Sequence, residues 1–435
     1  MRLTTLTFAL LSCSLVAACD QPAGPHPTAA AAPAAAAKGI YGSAIVKVPV
    51  PELAALGKLM FHDASLSASG RQSCASCHAP DHAYAPANAL AVQPGGSDLR
   101  STGLRAAPSL RYVQNVPPFT EHFYDNDGDD SKDQGPTGGH DWDGRANSGH
   151  EQASGPLLSP QEMGNASPAA VVARLKHAGY AERFRKAFGA DIFARPQDAY
   201  AAASMALEVF QETPAEFYPY TSKYDAFLRS QVRLDPREAR GLALFNRPDK
   251  GNCAACHVSE IKSGAFPAFT DFGFIALGVP RNRALAANAV ANAVANTATP
   301  DAYDLGLCGP LRSDLAKRPE FCGLFRTPSL RNVATRQAFF HNGVFHSLQE
   351  VLRFYATRDT APGKWYPHKA DGQVDKFDDL PPQYRANVNM EAPFGGKPGA
   401  KPALNEREIA DVIAFLKTLT DGYAVPGQSG GVAAR

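Results

Sequence analysis

Methionine and tryptophan are scarce in this chain, with five Met and two Trp in 435 residues. Once an N-terminal leader is removed, the methionines are Met60, Met163, Met205 and Met390, and none stands in a context that marks it as a metal ligand. An excess of one charge is also lacking. Lys plus Arg number 43 against 42 Asp plus Glu, and a net charge of +1 gives no reason to expect nucleic acid as a partner. Beyond the leader no stretch is apolar enough to cross a membrane. Strand signals are few, whereas Gly and Pro are frequent at 36 and 35, a pattern that predicts short helices joined by long loops.

What is present is a pentapeptide that occurs twice, as Cys74-Ala75-Ser76-Cys77-His78 and as Cys253-Ala254-Ala255-Cys256-His257. Two thiols at this spacing can add to the two vinyl groups of one porphyrin, and the His that follows can turn its imidazole onto the iron. A zinc half-site or a thiol redox pair is the alternative for one copy. Zinc would need four converging ligands, and a redox pair has no use for the His. Two covalently bound haem c groups are therefore expected, with His78 and His257 as their proximal metal ligands.

The compartment implied by the N-terminus agrees. Residues 1–18 have a charged end at Arg2, an apolar core from Leu6 to Val16 and small residues before Cys19, the pattern of a bacterial lipoprotein signal. Cys19 then becomes the acylated first residue and the only membrane contact; a plain signal peptide followed by an incidental Cys is the other reading. Of eight cysteines, Cys13 leaves with the signal and four belong to the pentapeptides, so Cys308 and Cys322 remain. In an oxidising periplasm these two are expected to form a disulfide, whose loop closure contributes about 3 kcal/mol on the chain-entropy model, against the alternative of two free buried thiols.

Residues 19–45 are an Ala/Pro-rich tether. Between it and a flexible tail at 423–435 the plan is duplicated. Leu56-Gly57-Lys58-Leu59-Met60-Phe61 precedes the first pentapeptide, and Gly241-Leu242-Ala243-Leu244-Phe245 the second. Asp235 reads as the N-cap of the second opener, with Pro236 in its first turn. Ser167-Pro168 starts a further helical run through Val171, Val172 and Leu175, and Asn405 another through Ile409, Val412, Ile413 and Leu416. The expected fold class is all-α: two tandem cytochrome c-like domains, 46–228 and 229–422, each with one covalent c-type haem, short helices and long loops.

What two such haems do depends on their sixth coordination positions, filled by Met or His in an electron carrier and open in a peroxide-activating site. From Ala83 to Glu121, after His78, the chain has neither His nor Met, which leaves the first iron a candidate for an open position, although His62, His82, His122, His140 or His150 could fold back onto it.

At this point the chain resembles the bacterial dihaem cytochrome c peroxidases and their MauG-like relatives, over Leu56 to Leu419. The resemblance rests on Leu59-Met60-Phe61-His62-Asp63, Ala107-Pro108-Ser109-Leu110, Trp142-Asp143-Gly144-Arg145, Glu151-Gln152-Ala153, Gly155-Pro156-Leu157, Phe269-Thr270-Asp271-Phe272, Gly278-Val279-Pro280-Arg281-Asn282 and Phe325-Arg326-Thr327-Pro328-Ser329-Leu330-Arg331-Asn332-Val333, in the family's order. It implies a periplasmic enzyme that reduces hydrogen peroxide with electrons from a small donor, a cytochrome c or a copper protein; a homodimer is left open. By carry-over, Glu151 matches the carboxylate over the peroxidatic haem, with Arg145 and Trp142 as pocket scaffold and haem-edge contacts. Tyr355 stands where ordinary members place a distal Met, as in the MauG-like branch. It is read as the distal ligand of the second haem, with a place in the apolar core as the alternative and His346 as the runner-up ligand. A phenolate there would lower the reduction potential. Oxidation of a partner protein, as in MauG-like enzymes, is the nearest rival function, and a dihaem electron carrier the more distant one. The His that blocks the first haem in many peroxidases is missing. The family's calcium Asn reads Ala106, which argues against that ion, and the acidic run Asp125–Asp130 lacks the spacing of a calcium loop. Tyr112 is a candidate relay between the haems.

Overall fold

Helices begin where capping residues precede apolar periodicity, and they do so twice in the same way. In the computed structural model, which describes residues 48–124, 132–262, 264–285 and 303–427, Val50–Phe61 packs against Pro196–Gln211 and Pro236–Asn246 against Glu406–Lys417. Asp235 caps its helix by accepting from the Arg237 and Glu238 N–H groups, and Asn405 does so from Glu408. A third helix completes each half: Gly149–Leu158 on Pro196–Gln211, and Leu348–Thr357 on Glu406–Lys417. The leader, Cys19, the tether, the Asp125–Asp130 run and the end of the tail lie outside the described residues.

Sheet is confined to two antiparallel pairs, Pro94–Gly95 with Ser101–Thr102 and Phe274–Ile275 with Phe325–Arg326, the second in the register Phe274↔Arg326. Two apolar clusters form the core. One gathers Leu56, Met60, Phe61, Leu157, Val171, Phe184, Leu207 and Phe210; the other gathers Phe245, Phe269, Phe354, Val412, Phe415 and Leu416. Cys308 and Cys322 are joined by a disulfide, S–S 2.03 Å. No helix among the described residues is long and apolar enough to cross a membrane.

The two principal helix crossings share one device. A Cβ on Gly57 would lie 1.9 Å from the Ala206 carbonyl oxygen, and one on Gly241 would lie 2.0 Å from that of Asp411. The backbones touch because neither glycine has a side chain. Gly57→Ala and Gly241→Ala are each expected to lower stability by about 1–3 kcal/mol through overpacking, measured by denaturant unfolding; unchanged midpoints would mean that the crossings have slack.

Candidate functional site

Both pentapeptides sit in cradles built by the same bonds. Cys74–Cys77 is one helical turn, and the His78 N–H donates to the Cys74 carbonyl at 2.9 Å; the His257 N–H donates to that of Cys253 at 2.8 Å. His78 Nδ1 lies 3.1 Å from the Tyr84 carbonyl oxygen and His257 Nδ1 2.9 Å from that of Phe269. With Nδ1–H donating, Nε2 keeps its lone pair for a metal. Burial pushes both imidazoles down, His257 to about 4, so each is neutral. Behind each His runs a Pro-Ser-Leu-Arg loop: the Ser109 hydroxyl donates to Ala83 and the Ser329 hydroxyl to Ala268, both at 2.6 Å.

The second pentapeptide opens onto a cavity of about 380 Å³ lined by Cys253, Cys256, His257, Phe340, Val351 and Tyr355, with Trp142 and Arg326 also in its wall. Burial pushes the thiols of Cys74, Cys253 and Cys256 up to about 12 and raises that of Cys77. Among the described residues no three His, Cys, Asp or Glu converge to hold a metal ion. Two sulfurs fixed at one side of a largely apolar cavity, with a free imidazole nitrogen beside them, fit a covalent haem.

A second cavity, of about 210 Å³, has none of Cys74, Cys77 or His78 in its lining, but four of its residues correspond by position to residues of the first. Counting from the equivalent helix caps Ser148 and Ser347 and the equivalent crossings, Leu110, Val113, Gln152 and Gln211 take the places of Leu330, Val333, Val351 and Leu416. The wall is apolar around His257 and polar in the other half, where His140, Asp141 and Glu208 join it. The same count sets Pro156 against Tyr355. Tyr355 is flanked on its helix by Val351 and Leu352, and all three line the cavity. Its hydroxyl has no hydrogen-bond partner among the described residues, and burial together with the Cys256 and Cys253 thiols raises its pKa above the ordinary tyrosine value. Pro156 offers no donor atom at all.

Glu151 is not brought to either cavity, which corrects the expectation placed on it. It is exposed at the start of Gly149–Leu158, where its Oε2 accepts the Asn147 N–H at 2.7 Å; Glu350 does the same for His346 at 3.0 Å. Both close helix N-termini, and their side chains leave the helix away from the face that carries Gln152 and Pro156. The carboxylate of this half whose pKa is raised is Glu162. Burial pushes its pKa up to about 7, with Asp141 adding to the rise and Arg145 opposing it. Its charge is felt by the Cys74 and Cys77 thiols. Its side chain is exposed by surface area although protein atoms crowd around it, and it is in the lining of neither cavity.

Arg145 pairs with Asp141 at 3.0 Å and Asp143 at 2.9 Å beside that carboxylate. The Trp142 Nε1–H donates to the Ala106 carbonyl at 2.8 Å, and the residue lines the His257 cavity and not the second one. The His346 Nδ1–H donates to the Gln337 carbonyl from an exposed position, and the Tyr112 hydroxyl donates to Asp421; neither lines either of the two cavities. Glu162 and Pro156 carry no local signature. Only alignment of the two halves on their helix caps would have shown the proline.

Residues 51–233 match the family model described as di-haem cytochrome c peroxidase. The chain is 33% identical over 379 residues to the methylamine utilization protein MauG of Paracoccus denitrificans, covering 85% of this chain and 88% of that one. It is 25% identical over 391 residues to cytochrome c551 peroxidase of Nitrosomonas europaea, covering 86% and 83%. Among solved structures, the diheme peroxidase BthA from Burkholderia thailandensis superposes with a TM-score of 0.74 at 38% identity, over 91% of this chain and 92% of that one. With its paired Cys-X-X-Cys-His cradles and these relatives, the chain belongs to the di-haem cytochrome c peroxidase and MauG family.

Proposed function

We propose that this chain is a periplasm-facing, lipid-anchored peroxidase that reduces hydrogen peroxide at the His78 haem, with the His257 haem storing or relaying electrons from a small donor protein. The observation that carries this reading is the asymmetry of two equivalent helices: Pro156 stands at the helix position that Tyr355 occupies in the other half, where Tyr355 lines the His257 cavity. A haem iron with a vacant position supplies a place for peroxide to bind and for its oxygen–oxygen bond to be cleaved. Around it, Gln152 supplies an amide that can orient a small polar substrate, while Glu162 is poised near neutrality to take a proton from one peroxide oxygen and return it to the departing one. Arg145 keeps part of that carboxylate's charge in check.

Ferric holoprotein is expected to give one high-spin and one low-spin EPR signal, and to turn over hydrogen peroxide with a reduced small cytochrome. Two low-spin signals would leave an electron carrier. The second reading, oxidation of a partner protein, is favoured by the phenol at position 355, where peroxidases of the family place Met. Absent turnover together with rapid formation of a long-lived oxidised state would select it.

Tyr355 itself is testable. Tyr355→Phe is expected to convert the low-spin signal to high-spin, and Tyr355→Met to raise the midpoint potential of that haem, because a thioether donates less charge to iron than a phenolate. Unchanged spectra in both variants would return Tyr355 to the apolar wall.

A further inference from the structure

Behind each proximal imidazole the chain repeats one arrangement, and the two copies converge. The Tyr84 carbonyl, 3.1 Å from His78 Nδ1, also accepts the Leu110 N–H at 3.2 Å. In the other half the Phe269 carbonyl, 2.9 Å from His257 Nδ1, accepts the Leu330 N–H at 3.3 Å. The Arg111 and Arg331 N–H groups each donate to the Ser hydroxyl two residues before them, both at 3.1 Å. Each loop then reaches a buried polar residue at positive φ, Tyr112 at 62° and Asn332 at 58°. These two residues meet the same side chain.

That side chain is Asp421, just beyond Glu406–Lys417 and only 5% exposed. Its Oδ1 accepts the Tyr112 hydroxyl at 2.7 Å and its Oδ2 the Asn332 amide at 2.8 Å. Both donors are fixed in that role. The Tyr112 oxygen already accepts the Tyr220 N–H at 3.0 Å, and Asn332 Oδ1 already accepts the Asp421 N–H at 2.9 Å. Arg111 donates to Oδ2 as well, at 3.1 Å, and the Thr221 N–H and hydroxyl to Oδ1 at 3.2 and 3.4 Å. Donors on both oxygens call for a group that only accepts, which is what a carboxylate offers.

We propose that Asp421 is a positioning residue for both haem ligands: one carboxylate fixes the two loops whose N–H groups hold the carbonyls that receive His78 and His257. The device requires a haem at each pentapeptide and uses no contact in either cavity. An acceptor held on Nδ1–H raises the basicity of an imidazole toward its metal. When the carboxylate is lost, both carbonyls are held less firmly, both imidazoles donate less charge, and the oxidised state of each iron is less favoured.

The test uses the full chain carrying its haems. Haem stoichiometry of the unsubstituted protein is measured first; fewer than two haems per chain would overturn the reading of the pentapeptides, independently of Asp421. Three variants then separate the two arms. Tyr112→Phe removes the first and is expected to shift one of the two ferric EPR signals. Asn332→Gly removes the second, at a left-handed position that glycine adopts freely, and is expected to shift the other signal. Asp421→Ala removes both arms and is expected to shift both signals. It should also move the reduction equilibrium of each haem about tenfold toward the reduced form, the low end for losing an outer partner of a metal ligand, a rise of about 59 mV for one electron. The proposal is overturned if the single variants shift the same signal, if either shifts both or neither, or if Asp421→Ala moves one haem or none. If the alanine chain fails to mature, the two single variants decide by the same criterion. A purely structural role would lower the unfolding midpoint and leave signals and potentials in place, which also overturns it.

Discussion

Glu162→Gln is expected to lower kcat/KM for hydrogen peroxide by about 10²–10⁴-fold, the usual weight of a positioned acid/base group, with both haems still attached. The amide keeps the size of the carboxyl group but cannot accept the proton. Because burial holds the carboxyl near 7, its ionised form, which is the form that accepts, increases as pH rises through that value. Peroxide turnover should therefore climb with pH across about 6 to 8 in the unsubstituted enzyme and lose that dependence in the variant. Glu151→Gln is the matched comparison. Glutamine can still accept from the Asn147 N–H at the helix start, so turnover should stay close to that of the unsubstituted enzyme. Steady-state rates across pH check both. A Glu162→Gln enzyme that kept its rate and its pH profile, beside a Glu151→Gln enzyme that lost them, would reverse the assignment.

The largest effect on stability is expected from Asp225→Ala, a loss of about 3–5 kcal/mol. Arg331, from the Pro-Ser-Leu-Arg loop behind His257, is fully buried with Asp225, Nη1 to Oδ2 2.7 Å. Its Nε and Nη2 donate to the Pro267 carbonyl at 2.9 and 2.7 Å, and Tyr112, Tyr220 and Phe269 present ring faces to it. Asp225 also accepts the Ser222 N–H and hydroxyl, which starts the Lys223–Leu228 helix. Its removal strands a cation among aromatic rings and at the same time loses the side-chain half of the capping box at that helix. Replacing both partners, Arg331→Met with Asp225→Leu, should recover much of the loss, since an apolar pair of similar size leaves no charge unmatched. Urea unfolding checks the pair of variants. A cost below about 1 kcal/mol for Asp225→Ala would show water reaching Arg331 and the ion pair counting for no more than an exposed one.

Much of the scaffold is legible because it is written locally. The starts of the helices at Pro236, Pro168 and Glu406 follow from a capping side chain that meets N–H groups two or three residues on. Under the proposed function the candidate acid moves from Glu151 to Glu162 for the opposite reason. Glu151 has the local surroundings expected of a functional block, but a capping hydrogen bond takes its carboxylate. Glu162 lies beyond the end of that helix, in a turn where the Met163 N–H donates to the Pro156 carbonyl and the Gly96 N–H to that of Glu162. Only that return of the chain carries its side chain to the cysteines. Trp142 likewise belongs to a block from one half but faces the cavity of the other.

By itself the sequence determined where two haems would be attached and which imidazole each would meet, because thiol spacing and the adjacent His act within a single turn of chain. It also determined the helix starts and, through charge balance and the leader, the kind of compartment to expect. Tertiary structure alone decided which carboxylate has its pKa raised, which residues wall the His257 cavity and which arginine stands in both walls. Those properties depend on segments far apart in the chain closing around the same space.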